Sequence, residues 1–106
     1  MSESTVKLFD EVTSANGSQA NGIALRVGGH KVVFQTNVPA SLGIVQISND
    51  GLSWSTGTNE ENSDLSSLGS LTESLKERPE FVRFAVASDG SGPRLFRITY
   101  NVIKVN

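Results

Sequence analysis

The sequence predicts an all-β fold: a single antiparallel β-sandwich, jelly-roll-like, of about seven strands with one short helix at about 71–77. Three observations carry that prediction. Apolar residues alternate with polar ones at the two-residue period of half-buried strands. Clusters of Gly, Asn, Asp and Ser separate these runs at short intervals. Charged residues make up only 19% of the 106, while Ser, Thr, Asn and Gly are abundant, which suits short strands joined by polar turns. Residues 1–106 read as one domain with a flexible N-terminal arm over 1–5, and the length is near the commonest domain size.

Residues 5–12 alternate loosely, with Val6 and Leu8 on one side, and read as a first strand. Thr13 to Gly22 has no apolar period and reads as a loop. Ile23–Val27 and His30–Thr36 flank Gly28-Gly29, which predicts a hairpin pairing Leu25 with Val32 and Ile23 with Phe34 on one face. Val33 falls on the opposite face, exposed or at a subunit contact. Pro39, within Asn37–Ser41, breaks the strand because it cannot donate to a ladder.

Leu42 to Thr56 reads as a second hairpin. Asp-Gly favours a type I′ turn, whose two central residues need positive φ. Centred on Asp50-Gly51, it pairs Ile47 with Trp54 and Val45 with Thr56. Val45, Ile47, Leu52 and Trp54 then share an apolar face.

The stretch 57–69 is polar and acidic, with Leu65 and Leu68 as an irregular extension under the sheet. Ser70-Leu-Thr-Glu73 has the spacing of a capping box, Leu71 and Leu75 lie four apart, and Pro79 stops the run, which predicts the helix. Glu80–Ser88 is a strand with Val82, Phe84 and Val86 on one face. After the Asp89–Pro93 turn, Arg94–Val105 is the longest strand, alternating through Phe96, Ile98, Tyr100 and Val102. Ile103 and Val105 break that alternation, which predicts a bulge or a tail covered on its second face.

Composition restricts function. A net charge of −2 and a pI near 5.3, with Lys and Arg scattered, argue against nucleic-acid binding. The absence of cysteine excludes disulfides, thiol catalysis and Cys-ligated zinc. No apolar run approaches the ~20 residues of a membrane span and no secretory leader is visible, so no membrane partner is expected. Beginning at Met1, the chain reads as a complete small gene product.

The reactive side chains form no constellation. His30, the single histidine, sits at a turn without an acidic or nucleophilic neighbour in sequence. Glu60, Glu61 and Asp64, like Asp89-Gly90-Ser91-Gly92, lack the alternating ligands and fixed glycine of a calcium loop. No catalytic residue, metal ligand or cofactor is therefore expected. Asp50, Gly51, Ile47, Gly28 and Gly29 read as structural. Trp54 reads as a core anchor against Ile47, with an exposed sugar platform as the alternative. Arg26, Arg83 and Arg97 lie opposite the main apolar faces, solvated or available to acidic groups of a partner.

Ser48-Asn-Asp-Gly-Leu-Ser-Trp54 resembles a hairpin of discoidin-type carbohydrate- and lipid-binding domains, although those are longer and usually disulfide-closed. It also resembles the sialidase Asp-box, whose spacing is one residue longer. The likeness spans most of the chain for small β-sandwich structural proteins of tailed bacteriophages, the head decoration (cement) proteins and fibre-associated modules. There, too, an early strand like Leu8-Phe-Asp-Glu-Val12 is followed by a Gly-rich hairpin. The Ser-Asn-Asp-Gly-x-x-Trp hairpin comes next, then a strand like Phe81–Val86. This resemblance implies a non-enzymatic virion protein on the capsid surface, made in the host cytoplasm. It further implies a homodimer or homotrimer bound to the major capsid protein or other virion proteins. The surfaces expected to do this are the arm, with Ser2, Glu3, Ser4, Thr5 and Lys7, the tail with Ile103 and Val105, and Arg83 and Arg97. The alternative is a carbohydrate-binding module of a phage fibre or tail, with a glycan as partner.

Overall fold

Two antiparallel sheets pack face to face across one apolar layer in the computed structural model, which describes residues 2–105. The strands in chain order are β1 (Glu3–Thr13), β2 (Ala20–Asn21), β3 (Leu25–Arg26), β4 (Lys31–Asn37) and β5 (Gly43–Ser48), then β6 (Ser55–Thr56), β7 (Leu71–Ser74), β8 (Phe81–Val86) and β9 (Leu95–Val105). One sheet has the order β1-β9-β4-β7. The other has the order β2-β8-β5-β6, with β3 also paired to β8. The predicted β-sandwich is the observed fold, with nine strands among the described residues where about seven were expected. The surplus comes from short pieces, since β2, β3 and β6 have two residues each.

The strands with the cleanest alternation make the core. β9 buries Phe96, Ile98, Tyr100 and Val102, and β8 brings Val82, Phe84 and Val86 into the same cluster from the other sheet. Val32 and Phe34 of β4, Val45 of β5 and Val12 of β1 join it. Full burial of each such side chain contributes about 1.5–3 kcal/mol. Leu65 and Leu68 of the irregular 57–69 connection are also buried, and Leu68 exchanges backbone hydrogen bonds with Gly43 at 2.8 and 3.0 Å.

The predicted helix does not form. Leu71–Ser74 is β7, antiparallel to β4, with Leu71 opposite Thr36 and Ser74 opposite Val33. A spacing of four between Leu71 and Leu75 serves one face of a strand as well as one face of a helix. Without β7, β4 would leave an unpaired edge beside the buried Phe34. Ser70, expected as the N-cap, accepts a hydrogen bond from the Val38 amide (3.0 Å) and donates one to the Val38 carbonyl (3.1 Å). Capping residues stabilise such turns as readily as helix starts.

The Gly28-Gly29 turn forms, but its hairpin does not. Both glycines have positive φ (64° and 75°), and the His30 amide donates to the Val27 carbonyl at 3.3 Å. The strands on either side then diverge: β3 joins β8, while β4 joins β9 and β7. The turn passes the chain from one sheet to the other. Leu25 stands opposite Val82 instead of Val32, and Ile23, expected inside, is exposed.

The second hairpin is slipped by one residue. Ile47 stands opposite Ser55 and Gln46 opposite Thr56. Gly51 has positive φ (77°) and Asp50 does not, so these two residues make no type I′ turn. The connection is a broader loop held by side chains. Ser48 Oγ accepts from the Gly51 amide (2.8 Å), and Asp50 Oδ1 accepts from the amides of Leu52 (2.8 Å) and Ser53 (2.9 Å).

Nor is there a bulge near Ile103. β1 and β9 pair without interruption from Thr13–Leu95 to Glu3–Val105, and Ile103 and Val105 continue the outward-facing row of β9. Residues 3–5 of the predicted arm lie in β1. Met1 and Asn106, the outer ends of the predicted arm and tail, fall outside the described residues.

Candidate functional site

Most of the residues expected to meet a partner come together at one end of one sheet. Glu3, Ser4, Thr5 and Lys7 of β1 stand opposite Val105, Lys104, Ile103 and Asn101 of β9, so arm and tail form a single two-stranded ribbon. Ser2 precedes it and is exposed. Strand alternation turns Thr5, Lys7, Phe9 and Glu11 outward beside Ile103, Asn101, Thr99 and Arg97. β4 extends this outer face with Lys31, Val33, Gln35 and Asn37. Arg97 Nε lies 3.7 Å from the Glu11 carboxylate. Exposed apolar groups are interspersed, Phe9 at 56% and Val105 at 54%. The face is broad and mixed in polarity.

Arg83 is elsewhere, on the outer face of the other sheet, with Trp54. Its guanidinium lies 4.5 Å from the Trp54 ring centroid, a cation–π geometry, and its Nε donates to Gln46 Oε1 at 2.6 Å. Trp54 is half-buried and outside the core cluster, so the expected core anchor against Ile47 is not what the structure contains. The one-residue slip is the cause, since it places the ring beside Arg83 on the outward side. Ile47 still packs partly against the core. The 49–53 loop folds back so that a Cβ at Gly51 would stand 3.6 Å from the Phe81 ring. Ser53 and Ser55, on either side of Trp54, line a cleft of about 310 Å³ with Ile47, Ser48, Asp50 and Pro79. The Ser53 and Leu52 amides, with the Ser48 hydroxyl, hold the Asp50 carboxyl below its ordinary range. This loop thus presents a fixed anion and several hydroxyls beside an aromatic ring.

A third cluster joins residues far apart in the chain. Ser14, at the end of β1, donates from Oγ to Asp89 Oδ2 at 2.9 Å. Arg94 donates to the same carboxylate from Nε (2.8 Å) and Nη2 (2.9 Å), and the Ser91 amide adds a fourth bond at 2.9 Å. The Arg94 amide bonds back to Ser14 Oγ at 2.9 Å. Arg94 first, then the Ser91 amide, hold Asp89 far below the usual carboxylate range. Every oxygen is occupied, so the cluster is a tie between β1 and the loop before β9. Ser14 and Asp89 are 75 residues apart, and no local motif joins them.

His30 lines a hollow of about 200 Å³ at the ribbon end, with Val6, Leu8, Val27 and Val102 for its apolar lining and Arg26 and Lys104 at its margin. Glu60, Glu61 and Asp64 are exposed, and Asn59 Oδ1 binds the Glu61 and Ser63 amides, each at 3.0 Å. Among the described residues, no group of three or more His, Asp or Glu is placed to hold a metal ion. No helix among them is long and apolar enough to cross a membrane.

No family model and no curated protein matches the sequence. Among solved structures, the SPBc2 prophage-derived protein YomS shares the fold, with a TM-score of 0.56 at 16% identity. The match covers 95% of this chain and 96% of that one.

Proposed function

We propose that this chain is a non-enzymatic structural protein of a tailed-bacteriophage virion, specifically a decoration protein that binds the assembled head and stabilises it. The observation that supports this most directly is the end-to-end likeness to a prophage-derived protein, since each chain covers almost the whole of the other. The short motifs Leu8–Val12, Ser48–Trp54 and Phe81–Val86 point the same way by resemblance. The partner is the major capsid protein or another virion protein, met through the outer face of the β1–β9 ribbon. The contacts there are small and mixed in polarity, and repetition over a lattice makes weak contacts effective through avidity.

Heads of the encoding phage that lack this protein provide the test. The purified chain is expected to co-sediment with them at a saturating, lattice-defined ratio, and Phe9→Asp and Arg97→Glu to lower binding. Absence of co-sedimentation overturns the reading.

The Trp54 ring favours a second reading, a glycan-binding module of a fibre or tail. It is partly exposed, held by Arg83, and flanked by Ser53, Ser55 and Asp50. Retention on a glycan array that Trp54→Ala abolishes, without head binding, would select it.

A further inference from the structure

The open edge of β1 has a polarity and a charge order that fit a second copy of the same strand. We propose that two chains pair antiparallel through Glu3–Lys7, with Thr5 opposite Thr5 of the second copy on the two-fold axis and each Glu3 opposite a Lys7. This inference does not depend on the virion reading.

The first ground is topological. β1 is an end strand of its sheet and has eleven residues, whereas the strand at the other end, β7, has four. The outer strands of the second sheet, β2, β3 and β6, have two each. A long unpaired edge is a template for pairing unless it is interrupted.

The second is the direction of the backbone groups. Bonded and non-bonded pairs alternate along an antiparallel ladder. The Ser14 amide bonds to the Arg94 carbonyl at 2.9 Å, in register with the β1–β9 pairing, so the even residues of β1 bond to β9. The odd residues therefore turn their N–H and C=O groups out of the sheet. At Glu11 the amide is already taken by the Asp10 carboxylate at 2.9 Å. Glu3, Thr5, Lys7 and Phe9 form the open stretch.

The third is charge. Among the described residues, neither Glu3 nor Lys7 forms an ion pair within the chain. A register centred on Thr5 makes two Glu3–Lys7 pairs and one Thr–Thr pair, all favourable across strands. Centring on Lys7 would oppose two lysines and set Glu3 against Glu11. Centring on Phe9 needs the Glu11 amide that Asp10 holds. Centring on Val6 makes no charge pair. In the Thr5 register three reciprocal residue pairs exchange six backbone hydrogen bonds, and the two sheets become one.

The chain has no cysteine, so a single introduced one reports contact without background. Under mild oxidation Thr5→Cys is expected to give a disulfide-linked dimer, because directly paired strand residues lie within disulfide reach. Phe9→Cys is expected to remain monomeric on non-reducing gels. In sedimentation velocity the unmodified chain should show a concentration-dependent dimer. Lys7→Glu should weaken it by about tenfold or more, and the double charge swap Glu3→Lys/Lys7→Glu should restore it. All these positions are exposed, and unchanged circular dichroism checks the fold. A monomer at every concentration overturns the proposal. So does cross-linking of Phe9→Cys without Thr5→Cys, or a Lys7→Glu variant that dimerises like the parent chain.

Discussion

A buried carboxylate is costly unless it is paired and hydrogen-bonded, and Asp89 is bonded to Arg94, Ser91 and Ser14 together. Its folded pKa lies below the ordinary 3.8, so the stability it contributes is present above that value and is lost as pH falls through and below it. Thermal melts are expected to give a melting temperature that holds at neutral pH and declines below about pH 4, the range in which carboxylates protonate. Asp89→Asn should melt lower at neutral pH and decline less steeply in acid. A parallel decline in both would remove Asp89 from the explanation. Trp54 gives a spectroscopic prediction. Its partly buried ring beside Arg83 should emit between the wavelengths of core and hydrated indole, and iodide should quench it in part. A blue-shifted, unquenchable spectrum would contradict the packing described. The loss of the Arg83 contact in Arg83→Ala should cost about 0.5–1 kcal/mol in chemical denaturation, as for other exposed cation–π pairs.

Among the elements, β8 and β9 were readable from sequence because their alternation is decided by burial alone. Phe84 and Phe96 are on the inner face in any pairing that keeps a core. Phe84→Ala should cost about 3–5 kcal/mol, measured by denaturant titration. β7 was not readable, because Leu71 and Leu75 satisfy two periods and the deciding partner, β4, lies more than thirty residues earlier in the chain. The side chain of Ser70 shows which alternative won. Ser70→Ala should destabilise by about 1–2 kcal/mol through the two lost bonds to Val38. Were 71–77 a helix, that substitution would reduce far-ultraviolet helical signal, and no such signal is expected at all. The two turns teach a related lesson. Gly28-Gly29 has the φ values its sequence demands, yet turn chemistry cannot say whether the departing strands stay in one sheet. At Asp50-Gly51 the serine and aspartate side chains outbid the tight turn, which moved Trp54 from the core to the surface. Of the candidate site, the ribbon of arm and tail was foreseen as two separate surfaces, and their pairing was not visible because it joins opposite ends of the chain.

At the scale of the whole molecule, the sandwich encloses one buried side-chain polar atom among the described residues that no partner meets, the Tyr100 hydroxyl. Burial first, and then the nearby Asp10 charge, push it well above the ordinary 10.0. For a group whose folded pKa is raised, stability is intact below the ordinary value and is lost as pH rises through the folded one. Tyr100 is the single tyrosine, so tyrosinate absorbance should appear only together with loss of the fold at alkaline pH. Tyr100→Phe should remove that dependence and change stability by less than about 1 kcal/mol, because no hydrogen bond is broken.

The antiparallel pairing of β1 with β9 also sets how the protein bears load. Glu3 and Val105 face each other at one pole, so tension applied through both ends of the chain opens the ladder rung by rung, as a zip opens. Tension entering β9 at Val105 and leaving β1 at its far end, near Ser14, would load all the β1–β9 rungs in shear at once. The molecule is therefore mechanically weak along one direction and strong along another.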